Sequence, residues 1–381
     1  MMLNKRKKEE NKRHSYFLFS ILVLIISFVG LEILIRVSIF TDYLPIKPLR
    51  NPWLYASWYD DDDFWKLYYK FKGEFKPPPS VAIHPLLGWS QEPIDTDNPL
   101  GLRKENLEFF SSSKKQILFY GDSFVDGVVS SQDYQIPRYI AKRLNDAVVI
   151  DLGCGGYGLD QMYLLFKLTH EKSHNPLVIF GILVEDDLDR SILSVRTGQK
   201  PYFIVQNEKL VLQGVPMDSI PAHYFATNPP KIKSYLFRMV FRATTKGITL
   251  LGQSLNIGKS KWFINRKMND KILINTKIIE GIDTLCKTQG YSLLFVLFHG
   301  QYELASGGCW QTEFLKSLFH GMNIRYIDTA DFLRSYNRQY SIPFSDFYVN
   351  EGFGEGHHNN LGNRIISEGL IEYLSRESDY D

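Results

Sequence analysis

One apolar run in this chain is far longer than the others. From Tyr16 to Leu31, sixteen consecutive positions carry no charge, inside a stretch, YFLFSILVLIISFVGLEILIRVSIF, that ends at Phe40. With Glu32 and Arg36 admitted at its far end, the segment reaches the roughly 20 residues that a bilayer crossing needs. Glu32 and Arg36 are four apart, so on a helix they share a face and can pair near the interface. Residues 1–15 hold six Lys or Arg, and positive charge stays on the cytoplasmic side. A cleaved signal peptide is the rival reading, but the residues that follow, RVSIFTDYLPIKPLR, offer no clear small-x-small cleavage site. A buried helix fits less well behind a basic cluster. The expectation is a cytoplasmic tail at 1–15 and a transmembrane anchor at 16–38, with the bulk of the chain outside the cytoplasmic membrane (periplasmic).

Beyond the anchor the pattern changes twice. Residues 39–112 are rich in Trp, Tyr and Pro and show weak periodicity, with DDDF at 61–64 and KPPPS at 76–80. They read as an irregular connector packed on the domain, with DDDF a solvated acidic cluster. From Gln116 short apolar runs alternate with helical spacing. QILFY (116–120), VVIDL (148–152), PLVIFGILV (176–184), YSLLFVLFHG (291–300) and IRYID (324–328) read as strands. Ile136, Tyr139, Ile140 and Leu144 fit one helix face. Further helices are expected after Leu159, over 270–288, near 311–320 and in the amphipathic LGNRIISEGLIEYLS, 361–375. Residues 195–265 break the rhythm and read as an insertion containing a hairpin. Strands alternating with helices predict an α/β domain over 113–381, a three-layer α/β/α arrangement on a parallel sheet.

Composition narrows the function little. Lys+Arg total 44 against Asp+Glu 42, a formal charge of +2, so no global field points to nucleic acid. Cys154, Cys286 and Cys309 are scattered, with no CxxC spacing for zinc; one disulfide among them stays open.

The chemistry gathers where strands end. Gly121-Asp122-Ser123 follows the first strand, and DLGCGGYGLDQ (151–161) closes the second with four glycines in six residues from Gly153. LVEDDLDRS (183–191) follows the third with four acids in five residues from Glu185, and GEGHHNNLGN (354–363) precedes the last helix. Each has a bland reading. Ser123 serves as a helix cap, the glycines as turn residues, the acids as a solvated helix start, and the histidines as surface groups. Together they supply a nucleophile, backbone N–H donors for an oxyanion, and an acid near a base. A metal site from His357, His358 and the acids at 185–189 is a poor fit, because adjacent histidines on one loop rarely ligate one ion. GCGGYG lacks the dinucleotide-loop spacing.

In this order the blocks resemble the SGNH/GDSL hydrolase family. GDSF matches its nucleophile block, DLGCGGYGLDQ its glycine block, and GHHNNLGN its histidine block. The stretch HPLLGWSQEP…NPLGLR (84–103) resembles the lead-in of many bacterial members. The resemblance covers roughly 84–375 and implies an SGNH/flavodoxin-like fold. It implies Ser123 as nucleophile, with Asp122 shaping the turn. His357 is the implied base because Asn359 and Gly362 follow at the family spacing, which His358 does not satisfy. The N–H groups of Ser123 and Gly156 would form part of an oxyanion hole.

Two residues depart from the pattern. Glu355 stands two before the histidine where the family has Asp, and Asp186 stands where its third oxyanion donor is Asn. A carboxylate repels an oxyanion, so another group such as Arg190 would have to donate, or the reaction differs, or activity is low. The resemblance and the anchor imply an esterase needing no cofactor or metal, acting on an acetyl or acyl ester of a cell-envelope glycan or lipid. The alternatives are an O-acetyltransferase on a surface polysaccharide, as in alginate-type relatives, and a non-catalytic glycan-binding or assembly protein.

Overall fold

The computed structural model describes residues 2–72, 82–144, 146–243 and 264–376. KPPPS and the end of the expected insertion, 244–263, lie outside the described residues. The chain forms two compact units, one from residues 1–75 and 225–261, the other from 76–224 and 262–381. The stretch read as a single connector is therefore divided: 39–75 belongs to the first unit and 82–112 to the second. The expected insertion is divided in the same way.

In the first unit a helix runs from Met2 to Phe40. Its Lys12–Phe40 portion, 29 residues, is the one helix among the described residues that is long and apolar enough to cross a membrane. Phe17, Leu24, Ile25 and Ile33 on it are exposed. Only its last turns are covered, where Ile35 and Ile39 pack with Tyr55, Leu67, Ile232, Tyr235 and Leu236. A second helix, Asp62–Lys72, starts in the DDDF tract. Asp63 there is buried, not solvated, because its Oδ1 accepts a bond from Lys231 N at 2.8 Å.

The second unit is built on five parallel strands: β1 (Lys115–Gly121), β2 (Ala147–Gly153), β3 (Leu177–Leu183), β4 (Ser292–Phe298) and β5 (Tyr326–Asp328). Their order across the sheet is β2-β1-β3-β4-β5. Side chains alternate between two cores, as strand geometry requires. Leu118, Tyr120, Phe180 and Phe295 face one layer of helices, represented by Met162, Ile278 and Phe319. Ile117, Phe119, Ile179 and Val296 face the other, represented by Ile140, Leu333 and Ile366. The three-layer α/β/α fold expected from the sequence is present, with all five strands where the apolar runs placed them. The expected hairpin also forms, pairing Tyr202–Gln206 with Lys209–Gln213. Cys154, Cys286 and Cys309 are free thiols.

Candidate active site

Pairing places Gly121 of β1 opposite Gly153 of β2, so the Gly-Asp-Ser turn and the glycine loop leave the sheet side by side. β3 flanks β1 on its other edge and brings the acidic loop to the same end. This is the carboxyl end of the strands, where open α/β sheets gather their ligands.

Ser123 opens a one-turn helix, Ser123–Asp126, that Gly127 closes in the left-handed region at φ 68°. Asp122 caps it, its Oδ1 accepting from Phe124 N at 2.8 Å. Asp122 is fully buried and shapes the turn. The second acid of the motif, Asp126, pairs with Arg103, which also holds Asp151 at the end of β2. Both acids around Ser123 thus fasten its turn to neighbouring chain.

The histidine loop arrives from the last crossover. Asn359 fixes its exit: the side-chain Oδ1 accepts from Leu361 N and Gly362 N, and Nδ2 donates to Tyr348 O. A Cβ on Gly362 would stand 2.4 Å from Phe347 O, so that position must be glycine. The spacing of the histidine block therefore has a mechanical cause. His357 stacks on Phe124, with ring centroids 5.1 Å apart. Its Nε2 lies 2.7 Å from Ser123 Oγ. His358 turns into the core among Phe124, Phe298 and Tyr348. Burial, with His357 and His299 nearby, pushes it down to about 3, so it stays neutral.

Glu355, the carboxylate expected beside His357, is not bonded to its ring. It is exposed, and His357 Nδ1 sits 3.0 Å from the carbonyl oxygen of Gly354. The loop turns through left-handed glycines on either side of Glu355, Gly354 at φ 81° and Gly356 at φ 88°. That path presents a carbonyl to the ring and leaves the carboxylate in solvent. A Cβ on Gly354 would stand 1.8 Å from Val129 Cγ1. Gly354→Ala is therefore expected to displace the loop and with it the ring. Ester turnover should fall by up to about 10²-fold while the fold is kept, because small misplacements of a catalytic group are costly. Unchanged kinetics in a folded variant would show that the carbonyl does not hold the base.

On the opposite side of Ser123 lies the glycine loop. Gly156 turns at φ 81°, and neither its N–H nor that of Ser123 donates to a described residue. Trp89 Nε1 bonds Gly155 O at 3.0 Å, Tyr157 hydroxyl bonds Trp89 O at 2.6 Å, and Gln161 reaches Leu87 O at 2.7 Å. The lead-in thus holds the glycine loop in place. Asp186 is half-buried after β3, with its Oδ2 on Arg190 and Arg196. Burial raises its pKa, and the two guanidiniums more than reverse this, so the net shift is downward and Asp186 is a carboxylate. Arg190 is buried and also bonds Asp122 Oδ2 (2.8 Å), Asp187 Oδ1 (2.8 Å) and Tyr157 O (3.0 Å). It is a tie between the three loops, with its two terminal nitrogens bonded to carboxylates and a carbonyl.

No family model matches the sequence, and no curated protein does. Solved structures similar to it include a two-domain esterase active on acetylated mannans, co-crystallized with mannopentaose (11% identity, TM-score 0.39, covering 72% of this chain and 52% of that one). Two others are an acetyl xylan esterase (14%, TM-score 0.38, 68% and 99%) and a member of the lipolytic G-D-S-L family from Veillonella parvula DSM 2008 (12%, TM-score 0.34, 69% and 99%). The chain thus spans about half the length of the two-domain esterase.

Further ionisable groups lie after β3 and β4, among them a His299–Asp328 pair that the sequence did not point to. His299 Nε2 lies 2.7 Å from Asp328 Oδ1, and Lys316 pairs with the same carboxylate. Glu185 accepts from Gly300 N, and burial raises it to about 8. The folded carboxyl keeps its proton to about that pH, whereas an unfolded one loses it near 4.5. Its contribution to stability is therefore complete below pH 4.5 and is lost as pH rises through 8. Glu185→Gln should flatten the fall in denaturation midpoint across this window. Parallel curves for the two proteins would refute the assignment. Among the described residues, no group of three or more His, Cys, Asp or Glu is placed to hold a metal ion.

Proposed function

We propose that this chain is a membrane-anchored, extracytoplasmic serine esterase of the SGNH/GDSL type, cleaving an acetyl or acyl ester of a cell-envelope glycan or lipid. The observation that carries the reading is the 2.7 Å contact between Ser123 Oγ and His357 Nε2 at the carboxyl end of a parallel sheet. In this reading Ser123 Oγ attacks the ester carbonyl as His357 Nε2 takes its proton. The Nδ1–H of the ring donates to Gly354 O, which fixes the tautomer. The N–H groups of Ser123 and Gly156 receive the oxyanion. His357 then protonates the departing alcohol and next deprotonates water, which releases the acid and restores the serine. The anchor is residues 16–38, supported by the length and exposure of the N-terminal helix.

The test is covalent labelling. Full-length protein in detergent is treated with a fluorophosphonate, and the modified peptide is mapped by mass spectrometry while p-nitrophenyl acetate hydrolysis is followed. Modification at Ser123 with matching loss of hydrolysis supports the reading. A folded protein that neither labels nor hydrolyses would leave a glycan-binding or assembly role. A second reading, acyl transfer to a polysaccharide hydroxyl, is favoured by Asp186, a carboxylate where hydrolases of this type place an amide donor. It predicts that an acceptor sugar diverts the acyl group from water.

A further inference from the structure

Glu32 and Arg36 are the charges that interrupt the apolar run, and their partners lie far along the chain. Arg36 Nε bonds Glu32 Oε1 at 2.7 Å, and its other end donates to Lys233 O at 2.7 Å. Glu32 also accepts from Ser234 Oγ (3.0 Å), Tyr235 N (3.1 Å) and Leu236 N (2.9 Å). Those residues begin a helical stretch over 235–243, which Ser234 caps by accepting from Phe237 N at 3.1 Å. The Glu32 carboxylate therefore sits on the amino end of this second helix, where free N–H groups and the helix dipole favour an anion. Tyr235 completes the joint. Its ring packs edge-on to Phe40 and Tyr55, and the Arg36 guanidinium lies 5.2 Å above it.

The position of this joint along the N-terminal helix decides what surrounds it. Counted from Tyr16, about 20 residues at about 1.5 Å each cross the roughly 30 Å hydrocarbon layer and end near Ile35. The joint thus falls at the outer boundary of the bilayer. The stretch turns Tyr235 and Leu236 inward onto Ile35 and Ile39, together with Ile232 just before it. Phe237 and Val240 are left 57% and 51% exposed, and Phe237 stacks on Phe241. Lys233 precedes this apolar face, and Arg238, 3.8 Å from Asp61 with its side chain still 42% exposed, adjoins it, a basic edge suited to phosphate headgroups.

We propose that the 235–243 helix is an interfacial element seated on the membrane anchor, with the lipid boundary as the partner of Phe237 and Val240. Glu32 and Arg36 are then the polar seat that holds it there, neutralised by each other and by the helix end. The inference rests on the anchor reading of residues 16–38.

The test is spin-label depth in full-length protein, reconstituted in vesicles of phosphatidylethanolamine and phosphatidylglycerol. A nitroxide is placed by Phe237→Cys in a Cys309→Ser background, since Cys154 and Cys286 are buried. Companion labels go at Leu24→Cys and at Tyr302→Cys, where Tyr302 is 78% exposed on the other unit. Position 237 is expected to collide more with oxygen than with a water-soluble nickel chelate, at a depth close to the headgroups, with position 24 deeper and 302 aqueous. An aqueous signal at 237 with 24 still deep would overturn the interfacial helix and spare the anchor. An aqueous signal at 24 would overturn the anchor itself. Shielding of 237 from both reagents would mean that protein covers this face, which also defeats the proposal.

Discussion

Replacing Arg190 with methionine is expected to destabilise the α/β unit by about 3–5 kcal/mol, the usual cost of removing one partner from a buried ion pair. The side chain is buried and answers three carboxylates, those of Asp122, Asp186 and Asp187, two of them fully buried. Methionine fills much of the volume and supplies no charge, so those carboxylates must be protonated or the loops must open. Lysine keeps the charge but lacks the planar fork that reaches several acceptors at once, so it should rescue only part of the loss. The variant should also recover stability as pH falls, because protonation relieves the uncompensated acids. Urea titrations at two pH values measure all of this. A midpoint shift worth less than about 1 kcal/mol would show that Arg190 is not the tie the geometry describes.

Ser123→Ala and His357→Ala are each expected to reduce ester turnover by about 10⁴–10⁶-fold, and the double variant by little more than either single one. Groups that act as a unit are grossly non-additive. Both side chains are half-buried at the surface of the site, so the fold should survive. The comparison is kcat against p-nitrophenyl acetate for the three variants, with unfolding midpoints as the control. Losses that multiply would mean that the two residues act independently and that their 2.7 Å contact is incidental.

Much of this was legible in the sequence because it is local. Buried parallel strands read as apolar runs, and all five appeared where QILFY, VVIDL and their counterparts lie. Ser123 and His357 were legible because each sits in a turn whose neighbours are dictated by mechanics, Asp122 as the cap and Asn359 with Gly362 as the loop exit. The partner of His357 Nδ1 was illegible for the opposite reason. A backbone carbonyl has no signature, and Glu355 drew attention only by being a carboxylate near a histidine. Arg190 carried a readable signal, three and four residues from Asp187 and Asp186, but its reach to Asp122 and Tyr157 O depends on how the strands align. Glu32 looked like a local partner for Arg36. Its other contacts come from residues about two hundred positions away, which no window of sequence joins.

The carbonyl behind His357 changes what inheritance can do to this site. A carboxylate in that place is a side chain, and one codon change deletes it. The Gly354 oxygen belongs to the main chain and survives every substitution of its own residue. Damage has to arrive through the path of the loop, from Gly354, from Val129 beneath it, or from an insertion between Asn350 and Gly356. Variants that silence the protein should therefore cluster at residues with no chemistry of their own, while codon 355 drifts freely.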